Sequence, residues 1–227
     1  MLRRAAALDL RATTLDLRNS GDTAGDRSRV VGYGAYAFEY AANAHLTDAH
    51  RGRLRDAART ALSEAAGHGR LTPVTLNDYP LPLRAIRKTF VTLEIEGELR
   101  GCIGSVATVN PLVVDVVQNT FKSAMQDPRF GPLTVDEVPR IEITISILSH
   151  PRPLQFTNEA DLVERLRPEV DGLILRDGGH QALFLPKVWH QLPQARQFLR
   201  HLKAKAGLNP DHESGTLRAF RFSAETF

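Results

Sequence analysis

A chain of 227 residues with 42% hydrophobic residues and 16 glycines has apolar material for one ordinary domain, or a domain with an appendage, and is not composed like a disordered chain. Its net charge of +3 comes from 29 basic residues interleaved with 26 acidic ones, so no basic block compels nucleic-acid binding. The single cysteine excludes an internal disulfide and any paired-cysteine metal site, and no run reaches the ~18 apolar residues of a membrane span. Met1 to Leu17 is interrupted by Asp9, Arg11 and Asp16, which leaves no signal-peptide apolar region; a cytoplasmic location is expected.

Residues 1–40 differ in composition from the rest of the chain. Met1 to Leu8 reads as the end of a helix, Thr13 to Leu17 as a short strand, Asn19 to Asp26 as a polar loop, and Val30 to Phe38 as a second strand. So little structure buries little surface, and the segment reads as an arm or as part of something larger. Thr47 caps a helix with the stripe Leu54, Ala57, Ala58, Ala61, Leu62 and Ala65, closed by Gly67. Leu71 to Arg87, with three prolines, reads as an extended connection. Lys88 to Glu96 alternates as a strand, turns at Glu96-Gly97-Glu98, and returns through Leu99-Arg100-Gly101-Cys102-Ile103-Gly104-Ser105.

Asn110-Pro111 predicts the next helix, with Asn110 as its cap, ending at Asp127-Pro128. Arg140 to Ser149 alternates isoleucines with polar residues as a strand, and Asn158 opens a short helix to Leu166. Asp177-Gly178-Gly179 predicts a hairpin between Gly172–Arg176 and Gln181–Leu185. Pro193 to Ala206 is a helix stopped by Gly207, and Thr216 to Phe222 the last strand. Hairpins mixed with helices argue for an α+β fold.

Strict alternation in the return strand puts Leu99, Gly101 and Ile103 on one face and Arg100, Cys102 and Gly104 on the other. Arg100 beside Cys102 would favour the thiolate, and the two glycines would let a ligand come close. Against this stands the tendency of a free cysteine to be buried and inert. Arg129, after the second helix, either complements the helix dipole or presents a second guanidinium to the same cleft; two arginines suit a carboxylate or phosphate. A thiol nucleophile needs a base, and His150, His180, His190 and His201 are available without the sequence choosing among them. No His-x-x-x-His or Glu-x-x-His pair offers a metal site, and no cofactor is indicated. The basic helix with Arg196, Arg200, His201, Lys203 and Lys205 reads as a solvated face, and the bare GxxG at Gly101 to Gly104 lies in a strand without a basic residue between the glycines; nucleic acid is not expected.

Residues 45–227 resemble the AMMECR family, also called AmmeMemoRadiSam system protein A. The resemblance rests on Leu99 to Gly104, on Asp127-Pro128-Arg129-Phe130 with Pro132-Leu133, on Ile141 to Ser149, and on Leu185-Pro186-Lys187-Val188-Trp189, Phe198-Leu199 and Lys205-Ala206-Gly207-Leu208. Ser105 stands where the family often has Thr, and Leu202 near where it often has a cysteine. Asn19 to Phe38 resembles the C-terminal end of a Memo-like protein, the system's protein B, which makes residues 1–40 a remnant of a longer fused chain or a docked arm. The resemblance implies an antiparallel sheet flanked by helices with a smaller α/β subdomain, and a Memo-like protein and a radical-SAM enzyme as partners. It implies no established activity. The expected site is a cleft for a small anionic ligand, with Cys102 and Arg100 as catalytic groups and Gly101, Gly104, Ser105 and Arg129 binding the ligand. The competing expectation is a non-catalytic adaptor or regulatory module, RNA-binding in its weakest form.

Overall fold

The computed structural model describes residues 10–19, 31–40, 46–104 and 109–227. The expected helix end at Met1 to Leu8, most of the Asn19 to Asp26 loop, and Ser105 lie outside them. β1 (Leu10–Asn19) and β2 (Gly32–Tyr40) form an antiparallel pair of their own; β1 is longer than the short run expected at Thr13 to Leu17, and β2 has the expected length, shifted two residues on from Val30 to Phe38.

Helix α1 (Asp48–His68) starts where the sequence places it. The Thr47 hydroxyl accepts from the His50 amide at 3.3 Å, and the His50 ring accepts from the Thr47 amide at 3.3 Å. Gly67 stays helical, and the turn falls at Gly69, whose φ of 64° glycine adopts most readily. The connection to residue 87 is not wholly extended. It holds a 3-10 turn at Leu76–Asp78 and the short helix α2 (Leu81–Arg84), where Pro80 and Pro82 sit at the start and forfeit no internal hydrogen bond.

β3 (Thr89–Ile95) and β4 (Glu98–Gly104) make the expected hairpin; Glu96 and Gly97, at φ 54° and 82°, form its left-handed turn. α3 (Leu112–Met125) is preceded by Pro111 at the capping position, one residue later than expected, while Asn110 donates to Gln118 at 2.9 Å. β5 (Ile141–Leu148) follows. The second half runs β6 (Arg152–Leu154), α4 (Glu159–Arg165), β7 (Gly172–Asp177), β8 (His180–Phe184), α5 (Ala195–Lys205), β9 (Arg218–Phe222) and β10 (Ala224–Thr226).

The α+β fold is thus built on two four-stranded antiparallel sheets, in the orders β10-β5-β3-β4 and β6-β9-β7-β8. α1 and α3 cover the first, burying Leu54, Ala58, Val113 and Val116 with Ile145. α4 and α5 cover the second, where Trp189 stacks on Phe198 at 3.8 Å and donates to the Asp171 carbonyl. Lys203, expected on a solvated face, is buried and paired with Glu159. The chain crosses between the sheets at Ser149 and again at Ser223, and the crossings are bonded to each other at 2.9 Å. Leu148, Ile174, Leu183, Leu185 and Phe222 form the apolar seam joining the two lobes.

A buried polar knot fixes α3 on β3. Asp115 accepts from the Thr89 amide (2.8 Å), the Thr89 hydroxyl (2.7 Å) and the Asn119 side chain (3.1 Å). Asp115→Leu would strand these donors without water, so a loss of about 3 kcal/mol is expected in urea unfolding.

Candidate functional site

The register of the β3–β4 hairpin decides where the motif's side chains go. Thr92 faces Cys102 and Leu93 faces Gly101, but Glu94 already faces Leu99, so Arg100 is the extra residue of a bulge. The bulge breaks the alternation from which Arg100 and Cys102 were expected to share a face. Arg100 instead reaches Glu137 through two bonds, at 2.7 and 3.1 Å, and the carbonyls of Gly131 and Pro132. It clamps a loop and does not line the cleft. That pairing, with two bonds from Thr134, lowers the Glu137 pKa from 4.5 to about 2 against a smaller cost of burial.

The glycines also answer to packing. A Cβ on Gly101 would lie 2.2 Å from the Ser123 carbonyl oxygen of α3, and one on Gly104 would lie 2.3 Å from the Phe90 ring. Both permit close approach, by a helix and by an aromatic ring. Ser123 completes the attachment, accepting from the Ile103 amide at 2.8 Å and donating to the Val91 carbonyl at 2.9 Å.

Cys102 is held by a residue the sequence reading passed over. Asp127, buried just past α3, accepts from the Cys102 amide at 2.8 Å and from the Arg129 guanidinium at 2.6 and 2.9 Å. Arg129 also donates to the Cys102 carbonyl at 3.3 Å. Arg129 first, then the amides of Cys102 and Arg129, hold the Asp127 carboxyl well below the usual range, although burial opposes them.

The cysteine side chain is partly exposed, not sealed in a core. Its Sγ lies 3.2 Å from the Thr92 hydroxyl, which accepts from the Lys187 ammonium at 3.1 Å. With Lys187 donating to that oxygen, the hydroxyl proton is free to point at a negatively charged sulfur. The cleft in front has a volume of about 850 Å³ and runs between the lobes; Phe90, Cys102 and Arg129 line it from one side, and Phe184, Lys187 and Lys205 from the other. Lys205 donates to the Leu183 carbonyl at 3.1 Å and lies 5.2 Å from the centre of the Phe184 ring. Burial lowers its pKa, the cysteine raising it and Arg129 lowering it further. Among the described residues neither Lys187 nor Lys205 has a carboxylate partner, and Asp127 is already neutralised by Arg129. Glu94 and Glu98 stand at the hairpin end.

Of the expected site residues, then, the structure brings Cys102 and Arg129 together in the cleft and turns Arg100, Gly101 and Gly104 to packing. Thr92, Asp127, Lys187 and Lys205 were missed. Three of the four stand in sequence blocks already singled out, Asp127-Pro128-Arg129-Phe130, Leu185 to Trp189 and Lys205 to Leu208, as charged residues flanked by structural ones.

Comparison with known proteins meets the same stretch of chain. The AMMECR1 family model matches residues 55–227. The chain belongs to the AMMECR1 family. A relative from Methanothermobacter thermautotrophicus is 39% identical over 154 residues, covering 66% of this chain and 80% of its own. Another, from Thermococcus gammatolerans, is 32% identical over 181 residues, 75% of this chain and 85% of its own. In three dimensions the AMMECR1 chain is similar to the crystal structure of the uncharacterized protein PH0010 from Pyrococcus horikoshii. The TM-score is 0.71 at 30% identity, over 77% of this chain and 88% of that one.

The Arg100–Glu137 clamp has a pH signature. Because the folded pKa of Glu137 is depressed, its stabilisation is complete above pH 4.5 and is lost as pH falls towards about 2. Glu137→Gln is expected to remove that part of the acid limb from a plot of urea midpoint against pH.

Proposed function

We propose that the inter-lobe cleft binds a small anionic substrate and carries its electrophilic atom to the Cys102 thiol, in an enzyme or enzyme component. The observation that carries this reading is the convergence of Arg129, Lys187 and Lys205 on one accessible thiol, with both lysines lacking a carboxylate. Lys187 and Lys205 face the cleft bonded only to neutral oxygens, so their charge is left to meet an anion, and a charge-assisted hydrogen bond contributes about 1.5–3 kcal/mol. Phe90 and Phe184 offer apolar surface to the rest of the ligand.

In this mechanism the residues have separate tasks. Arg129 and Lys205 hold the anionic group; Lys187, through Thr92, steadies charge on sulfur; Asp127 keeps the Cys102 peptide and Arg129 in place. Arg100 acts through the loop it clamps and is a positioning residue. The partners implied by the family resemblance, a Memo-like protein and a radical-SAM enzyme, belong to the same proposal as neighbours in one reaction sequence.

Alkylation of Cys102 by iodoacetamide tests the cleft. Small phosphomonoesters or carboxylates are expected to slow it, and Lys205→Gln to weaken that protection by about 10-fold or more. Alkylation that no anion slows would sink the reading. A deletion strain complemented with Cys102→Ala tests the chemistry: it is expected to accumulate the same metabolite as the uncomplemented strain. Full complementation would leave the chain a non-catalytic adaptor.

A further inference from the structure

A second group of cations lies away from the cleft, where the chain crosses between the lobes. β6 and β9 pair antiparallel, and their register sets Arg152 directly opposite Arg221. Side chains directly opposite on an antiparallel pair start about 5 Å apart at Cβ, and like charges placed so repel. Among the described residues neither guanidinium has a hydrogen-bond or carboxylate partner. They line a cavity of about 280 Å³ with Arg167, His150, Ser149 and Ser223. The one carboxylate there, Asp171, is buried and taken by Arg167 at 2.6 Å. What remains uncompensated is two positive charges.

The hydroxyls add donors. The Ser149 oxygen accepts from the Ser223 amide at 2.9 Å, which leaves its own proton available. A larger groove on the other side of His150 is lined by Arg84, Arg87 and Lys88, but Arg84 is committed to the Tyr79 carbonyl and to Asn77. The unpaired forks therefore belong to the smaller cavity.

We propose that the Arg152–Arg221 cavity is a second ligand site, for the phosphate end of a small phosphomonoester. A phosphate dianion matches the two uncompensated charges, and its three terminal oxygens suit two forked guanidiniums with serine hydroxyls beside them. A phosphoryl group of five heavy atoms, at no more than about 30 Å³ each, fills about half of the cavity and leaves room for the organic part of an ester. The site is separate from the cysteine cleft and does not depend on the reading given to it.

Thermal unfolding of the full chain carrying Lys187→Gln and Lys205→Gln tests this, because that background weakens the cleft and leaves the second site whole. Glycerol phosphate is expected to raise Tm in a saturable way, and inorganic phosphate to do so with lower affinity. Adding Arg152→Gln or Arg221→Gln should weaken the response by 10-fold or more. The same substitution should leave the ligand-free Tm unchanged or higher, since it relieves a repulsion, so loss of response cannot be mistaken for loss of fold. An ester response that survives both arginine substitutions would overturn the proposal. So would a response confined to long polyanions that collapses with added salt, which would make the patch a nucleic-acid surface. Equal affinity for inorganic phosphate and the ester would overturn the assignment to an ester.

Discussion

Asp127 takes hydrogen bonds from both neighbours of the thiol: from the Cys102 amide directly, and from Arg129, which also reaches the Cys102 carbonyl. One buried carboxylate therefore fixes the height of an edge strand, the direction of a cation and the end of α3. Its negative charge is tolerated away from water only because Arg129 and two amides answer it, and they do so on the cleft side of the hairpin. Were Asp127 unpaired, the strand edge, the guanidinium and the loop beyond α3 would each need another partner. The position of the thiol thus follows from an electrostatic requirement local to a few residues.

The same hairpin shows what alternation can and cannot tell. Val91 and Leu93 pack against α1 and the loop beyond α3, as a period of two requires. Arg100 departs because a bulge inserts one residue, and a bulge is a matter of pairing, invisible in one strand read alone. Glycine is legible as a site of close approach but not as a statement of what approaches; at Gly101 it is the Ser123 carbonyl, at Gly104 the Phe90 ring. Helix starts and stops were better marked, since Thr47, Asn158 and Gly207 act within a turn of their own positions. The division into two sheets was not marked, because nothing in the run from β5 to β6 or from β9 to β10 distinguishes a crossing between sheets from a turn within one.

For the candidate site, the element that bears the thiol was legible and its companions were not. Lys187 and Lys205 stand 85 and 103 residues beyond Cys102, on a 3-10 turn and at the end of α5. Either could serve equally as a surface lysine by composition, and only the seam of Leu148, Ile174, Leu183, Leu185 and Phe222 brings them to the first lobe. Asp127 was legible only as a helix terminator, since a carboxylate two residues before an arginine is ordinary at the surface.

This distribution of roles constrains what the motif does. Of Leu99 to Gly104, the arginine is spent on Glu137, and the two glycines on fitting the strand between α3 and Phe90. The motif offers the cleft a thiol and little else that can bind or polarise a ligand. Cations must then come from Arg129 on the adjoining loop and from the second lobe, whose lysines arrive unpaired. An isolated first lobe would keep the cysteine, Asp127 and Arg129 yet lose two of the three cations. The competence of the site accordingly rests on the apolar seam and on the paired crossings at Ser149 and Ser223, which hold the lobes in register.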